Sequence, residues 1–203
     1  MPSATPAPLS GLLGIDHIGL TVPDIDQAVT FFAEVLGART LYESGPFRAE
    51  DNWMAVNLGV DPRAVIPRLV MLHIGRGPAL ELFEYEHRTI DPAQELAERH
   101  PPSQSAVGGS HLAFHVEDID AGVEALREHQ LIVLGEVKRV TEGPGAGLAW
   151  VHFLAPWGQH LELVGHPQGV TAHASGEPVA GGPGAERDEP STDRDGALDV
   201  DPA

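Results

Sequence analysis

Length, composition and charge set the first limits on what this chain can be. Its 203 residues can form one ordinary domain or two small modules, and the absence of cysteine excludes disulfides, zinc fingers and thiolate nucleophiles. The formal net charge of −18 opposes binding to nucleic acid or to anionic membranes, because both require clustered lysine and arginine. The sequence shows no signal peptide and no apolar run long enough to span a bilayer, so we expect a soluble cytoplasmic protein.

The two ends of the chain differ in composition from its middle. Residues 168–203 are rich in glycine, proline, alanine and acidic residues, and such a segment cannot bury enough apolar surface to offset its ordering entropy. We expect a disordered acidic tail there and a flexible N-terminal tail at residues 1–12. Between them the sequence predicts a first module at 13–86, a connection with one short helix at 87–109, and a second module at 110–167.

The first module follows the order strand, helix and three strands. After a first strand that contains His17, Asp24 is placed to cap the N-terminus of the helix with Gln27 as its capping-box partner. Gly37 is placed to end that helix. An insertion at residues 45–61 has no counterpart later in the chain. The three following strands are predicted at Thr40–Ser44, Val65–Ile74 and Ala79–Tyr85.

The second module repeats the first. Asp16–Leu20 recurs as Ser110–Phe114, and Val22–Val29 recurs as Val116–Val123, with the same offset in both cases. The chain is therefore an internal duplication, and we predict an α+β fold of two tandem βαβββ modules. The last three strands of the second module are predicted at Ile132–Val140, Leu148–Leu154 and Gln159–Val164.

Each module carries one histidine and one glutamate at matching positions, namely His17 with Glu81 and His111 with Glu162. Side chains alternate between the two faces of a strand, so the leucines on both sides of each glutamate pack under the helix while the glutamate faces the other way. By the same alternation His111 faces away from the apolar layer. A carboxylate in mid-strand normally needs solvent, an ion partner or a metal. Two imidazoles and two carboxylates are suitable ligands for one divalent metal.

Four motifs carry a resemblance to a known family: Asp16–Leu20, Phe31–Gly37, Gly108–Phe114 and Ala155–Leu163. Over residues 13–167 the chain resembles the vicinal oxygen chelate superfamily, which includes glyoxalase I, methylmalonyl-CoA epimerase, bleomycin-resistance proteins and extradiol dioxygenases. The resemblance implies that the paired modules form a curved mixed sheet around a cleft. It also implies that His17, Glu81, His111 and Glu162 hold one divalent metal ion, for which nickel, cobalt, zinc, manganese and iron(II) are all suitable.

The set of four ligands resembles glyoxalase I and methylmalonyl-CoA epimerase. It implies a metal-dependent isomerase, epimerase or lyase that shifts a proton next to a carbonyl of a small substrate chelated through two oxygens. By this resemblance Glu162 is the catalytic base, and Glu81 can return the proton in an epimerisation. His115 and His160 share strand faces with the predicted ligands, and we take both as candidates for binding substrate.

Two other functions remain open at this stage. Extradiol-type iron dioxygenases of this superfamily use two histidines and one glutamate, so a fourth ligand at Glu81 counts against that reaction. A metal-free antibiotic-binding resistance protein would hold its ligand in the same cleft without catalysis. Arg48, Arg63 and Arg68 could clamp an anionic substrate group. The site can lie within one chain or across a homodimer, and the sequence does not distinguish the two.

Overall fold

The computed structural model describes residues 11–86, 101–143 and 145–166, and it confirms the α+β class and the repeated βαβββ order. Most of the predicted tails, and the short helix predicted in the connection, lie outside these residues. The first module consists of β1 (His17–Thr21), α1 (Ile25–Leu36), β2 (Arg39–Ser44), α2 (Trp53–Leu58), β3 (Val65–His73) and β4 (Ala79–Glu86). The second consists of β5 (Leu112–Val116), α3 (Ile119–Glu128), β6 (Ile132–Arg139), β7 (Ala149–Leu154) and β8 (His160–Gly165).

Each module forms its own four-stranded mixed sheet. The strand orders are β1-β4-β3-β2 and β5-β8-β7-β6, so the first strand of each module is an edge strand. That edge strand runs parallel to the last strand of its module, and the other neighbours are antiparallel. The histidine and the glutamate of each module therefore lie at the same edge of its sheet.

The helices α1 and α3 each begin after an aspartate whose side chain caps the N-terminus, as the sequence predicted for α1. The Asp24 carboxylate accepts a hydrogen bond from the Gln27 backbone N–H at 2.9 Å, which satisfies one of the free donors at the start of α1. Asp118 accepts from Asp120 and Ala121 in the same way at the start of α3. Gly37 ends α1 in the left-handed conformation, with φ of 66°. Within the described segments, no helix is long and apolar enough to cross a membrane.

The insertion in the first module contains α2, a helix that the sequence analysis did not predict. It is six residues long and ends at Gly59, whose φ of 69° is left-handed. Met54 is 1% exposed and packs in a small cluster with Leu69 and Phe83. Because Phe83 lies two positions after Glu81 on β4, α2 covers part of the sheet face that carries Glu81.

One hydrophobic core joins the two modules. Phe32, Leu82, Phe153 and Leu161 are all fully buried in it, together with the apolar sides of α1 and α3. The two halves meet where the Phe31 ring packs edge-on against Trp157, with ring centroids 5.5 Å apart. The modules are thus held together through the helix sides of their sheets.

Candidate active site

The first His–Glu pair joins the edge strand of the first module to its neighbour. His17 begins β1 and Glu81 lies in β4, and the His17 Nε2 to Glu81 Oε2 distance is 3.2 Å. On its other side the His17 ring lies 2.8 Å from Asp16 through Nδ1. The hydrogen bond to Asp16 raises the pKa of His17 above its ordinary value, and the negative charge of Glu81 adds to the effect.

The second pair repeats this geometry. His111 immediately precedes β5, Glu162 lies in β8, and the His111 Nε2 to Glu162 Oε2 distance is again 3.2 Å. The two histidines are 41% and 38% exposed, and the two glutamates are 16% and 14% exposed. His111 contacts Gln104 through Nδ1 at 3.2 Å, whereas His17 contacts a carboxylate. The duplication is therefore retained in the relative positions of side-chain atoms as well as in the sequence.

Strand alternation accounts for the direction of both glutamates. Leu80 and Leu82 are 4% and 0% exposed in the helix-side core, and Glu81 between them faces the opposite side. Leu161 and Leu163 flank Glu162 in the same manner, at 0% and 2%. The predicted faces of these strands are thus confirmed.

The donor atoms of each pair suit a shared divalent ion. Ligand atoms lie about 2.1 Å from such an ion, so two neighbouring ligands are separated by about 3 Å, close to the distance in both pairs. The Asp16 carboxylate on the far side of His17 matches the way proteins orient a ligating imidazole. Among the described residues, however, no group of three or more His, Asp or Glu side chains is positioned to hold a metal ion. The two pairs are therefore separate in one chain, and we call His17–Glu81 the first half-site and His111–Glu162 the second half-site of the predicted metal site.

The second half-site is lined by histidine and tryptophan. His152 of β7 lies directly opposite Glu162 in the antiparallel register, so both side chains are on one face. Its ring is 5.1 Å from that of His111 and 5.4 Å from that of Trp150. The sequence could not show which face of β7 carries His152 and Trp150, because the alternating residues on each face of this strand include apolar side chains. The register with β8 places them beside Glu162.

His160 joins this group, whereas His115 lies further from it. The His160 and His152 rings are 6.5 Å apart, while the His115 ring packs against His166 at 4.9 Å. The Nδ1 atoms of His152 and His160 are buried, and neither has a hydrogen-bond partner among the described residues. Leaving a buried polar atom unpaired costs about 1–3 kcal/mol, so these two atoms require an explanation.

The first half-site has different surroundings. Phe83 and Tyr85 follow Glu81 at alternate positions of β4 and pack with the helix-α2 cluster. Burial raises the pKa of Tyr85 above its ordinary value, and the negative charge of Glu81 adds to this. The phenol therefore keeps its proton near Glu81 and can donate a hydrogen bond. Tyr85 was not among the residues predicted from the sequence, although its alternation with Glu81 could have identified it.

Two of the three candidate arginines are engaged by acidic neighbours. Arg68 binds Glu43 and Asp26, the second of which belongs to α1, so its side chain lies toward the helix side of the sheet. Arg63 binds Asp61 through two hydrogen bonds of 3.2 and 3.1 Å. Neither arrangement places a free guanidinium beside the His–Glu pairs.

Comparison with known proteins adds an independent finding. Residues 16–147 match a protein-family model described as Glyoxalase/Bleomycin resistance protein/Dioxygenase superfamily. A 2-epi-5-epi-valiolone epimerase from Actinomyces sp. is 44% identical over 163 residues, which cover 80% of this chain and 84% of that protein.

Solved structures resemble the chain in fold. A glyoxalase family protein from Bacillus cereus matches with a TM-score of 0.56 at 22% identity, over 76% of this chain and 94% of the other. A glyoxylase/bleomycin resistance protein/dioxygenase domain from Frankia sp. matches with a TM-score of 0.52 at 18% identity, over 77% and 99%. These likenesses concern the fold alone.

Proposed function

Because the chain belongs to the glyoxalase/bleomycin resistance protein/dioxygenase superfamily, we propose that it is a metal-dependent epimerase acting next to a carbonyl group. The observation that carries this proposal is the pair of equivalent His–Glu half-sites, each with its N and O atoms 3.2 Å apart. The 44% identical relative is named as an epimerase, which favours epimerisation over a lyase reaction. We propose a cytoplasmic enzyme whose substrate is 2-epi-5-epi-valiolone or a close analogue of it.

Four residues would hold the metal: His17, Glu81, His111 and Glu162. Two neutral imidazoles and two carboxylates balance a divalent charge, and nickel, cobalt, zinc, manganese and iron(II) all accept this ligand set. When bound, the ion would polarise the substrate carbonyl and stabilise negative charge on its oxygen, a contribution of several kcal/mol.

The two glutamates divide the proton transfers in this proposal. Glu162 takes the proton from the carbon next to the carbonyl, and the electron pair of the broken C–H bond moves onto the carbonyl oxygen. Glu81 would leave the metal when the substrate binds and would then be protonated. Its carboxyl group delivers a proton to the opposite face of that carbon while the electron pair returns from the oxygen to the carbon, which inverts the configuration. Exchange of both carboxyl groups with solvent restores the starting state. A positioned carboxylate base adds roughly 10² to 10⁴ in rate.

We further propose that a second copy of the chain completes each site. The His–Glu pairs of one chain lie on the faces turned away from the core that joins its modules. Each pair also lies at the unpaired edge of its sheet, on β1 and β4 or on β5 and β8. If β1 of one copy lies beside β5 of another, all four ligands meet, and twofold symmetry forms this contact twice.

Exposed apolar side chains support this contact. Trp53 and Val56 of α2 are 50% and 71% exposed, on the helix that covers part of the first half-site face. Ile132 and Leu134 of β6 are 61% and 38% exposed, and Leu134 lies opposite His152 in the register. Large apolar residues left exposed on both half-site faces are typical of a protein interface.

The proposed function is tested by proton exchange. Incubation of the metal-loaded protein with 2-epi-5-epi-valiolone in deuterated water should place deuterium at the carbon next to the carbonyl and produce the epimer without consuming oxygen. Glu162→Gln should slow exchange roughly 10²-fold or more, whereas Glu81→Gln should block epimerisation and retain exchange without inversion. Nuclear magnetic resonance of recovered substrate and product reports both events. If turnover required dioxygen and gave a ring-opened product, the protein would be a dioxygenase and the proposed epimerase function would be wrong.

A further inference from the structure

The two modules differ at the position that faces the glutamate across the sheet. In the first module Met71 lies opposite Glu81 in the register of β3 and β4. In the second module His152 lies opposite Glu162 in the register of β7 and β8. An imidazole therefore stands in the second half-site where a thioether stands in the first.

A second difference lies at the start of the last strand of each module. Ala79 directly precedes Leu80 in β4, and His160 directly precedes Leu161 in β8. The two leucines are equivalent, because each opens a Leu-Glu-Leu motif. The first module thus has apolar side chains at both positions where the second module has imidazoles.

Within the described residues, no hydrogen bond to Nδ1 explains these two imidazoles. The Nδ1 atoms of His152 and His160 are buried and have no partner in the part of the chain that the structure describes. An apolar side chain would fill the same space without losing hydration, as Met71 does in the first module, where it is 6% exposed. The second module therefore keeps histidine at a cost, on the face that carries Glu162.

The chemistry of a neutral imidazole indicates what it recognises. One ring nitrogen donates a hydrogen bond and the other accepts one, and a hydroxyl group can both accept and donate. Both residues are only partly buried, and the register of β7 with β8 places both on the face that carries Glu162. Trp150, whose ring is 5.4 Å from that of His152, adds a flat apolar surface for C–H groups between hydroxyls.

We propose that His152 and His160 form a hydroxyl-binding wall, which selects a ketone that carries several hydroxyl groups beyond the oxygens chelated at the site. The wall belongs to the second module, so the hydroxylated side of the substrate lies against β7 and β8. This inference rests on the proposed function for the position of the substrate, and it adds the residues that set the substrate class.

The test compares two ketones by isothermal titration calorimetry on the metal-loaded protein. The probes are 2-keto-myo-inositol, which carries several hydroxyls, and 2-hydroxycyclohexanone, which carries one beside the carbonyl. We expect tighter binding of the first probe. His152→Phe and His160→Phe should each weaken that probe about 3- to 10-fold and leave the second unchanged, as expected for a lost hydrogen bond. His152→Asn, whose amide can occupy the place of Nδ1, should restore part of the loss.

Met71→Leu, at the equivalent position of the first module, is the matched control and should change neither affinity. If His152→Phe weakened the binding of both probes equally, the role of His152 would be structural and the proposal would be overturned. The proposal would also be overturned if the unmodified protein bound both probes equally well or bound neither. Metal content, measured on each variant, should stay at the level of the unmodified protein. Absence of metal from the unmodified protein would instead count against the proposed function, independently of the ratio of the two affinities.

Discussion

The His–Glu pair is the smallest unit that the duplication repeats, and its geometry depends on very local features. An edge strand supplies the imidazole and the adjacent strand supplies the carboxylate, with the same 3.2 Å separation in both modules. The neighbours of the pairs differ, since Asp16 contacts His17 and Gln104 contacts His111. The positions of the two pairs are therefore equivalent while their electrostatic surroundings are not.

Replacing His111 tests the metal assignment at this scale. His111→Ala should remove most of the bound metal, because each ligand of a four-residue site contributes directly to affinity. The fold should persist, since His111 is 38% exposed and precedes β5. Metal analysis and circular dichroism on the purified variant measure the two effects.

His129→Ala is the control for this experiment, because His129 lies at the end of α3, on the helix side of the second module. It should keep the metal content of the unmodified protein. Full metal occupancy in His111→Ala would remove His111 from the ligand set.

The sequence predicted toward which face the side chains of the His–Glu pairs point, but it predicted less well which residues surround them. Leucine on both sides of Glu81 and Glu162 leaves one arrangement that buries the apolar residues, so alternation alone settles the face. For His152 no such contrast exists, because Leu154 shares its face and the opposite face is apolar too. Its place beside Glu162 follows from the pairing of β7 with β8, which is a tertiary feature.

At the scale of elements, the short helix α2 is the main difference between the modules. Six residues form too short a helix to be stable alone, so α2 depends on the contacts of Met54 with the sheet. This explains why local sequence patterns did not predict it. The longer helices α1 and α3 were predictable, because each combines a capping aspartate with a regular apolar face.

Met54→Ala tests this dependence. Truncation of a methionine that is 1% exposed should lower the free energy of unfolding by about 2 kcal/mol or more, through lost burial and the cavity left behind. Asn57→Ala on the same helix is the control, because Asn57 is exposed and polar and should change stability by about 0.5 kcal/mol or less. Denaturant unfolding monitors both variants. Equal effects of the two substitutions would show that α2 is not anchored by Met54.

At the scale of the whole molecule, the shared core decides how the half-sites are arranged. The contact of Phe31 with Trp157 joins the modules on the helix side of their sheets, opposite to the His–Glu pairs. The sequence repeat is equally compatible with modules that face each other, so this arrangement could not be predicted from motifs. It depends on which apolar surfaces pack together when the chain folds.

Mixing two inactive variants tests whether two copies share a site. His17→Ala removes a ligand from the first half-site, and His111→Ala removes one from the second. If sites form between copies, unfolding and refolding an equal mixture should recover about one quarter of the metal binding, because about half of the dimers are mixed and each has one intact site. Metal content of the mixture, compared with each variant refolded alone, gives the answer. No recovery, with dimers present by sedimentation, would contradict a metal site shared between two copies.

The packing of the two modules through the helix sides of their sheets also has a consequence for how activity depends on protein concentration. When the chemistry requires faces from two molecules, the fraction of working sites follows mass action between chains. Activity per milligram of protein should then fall on dilution below the dissociation constant of the dimer and return when the protein is concentrated again. The placement of Phe31 against Trp157, on the helix side of the sheets, would in this way make catalysis depend on how much of the enzyme is present.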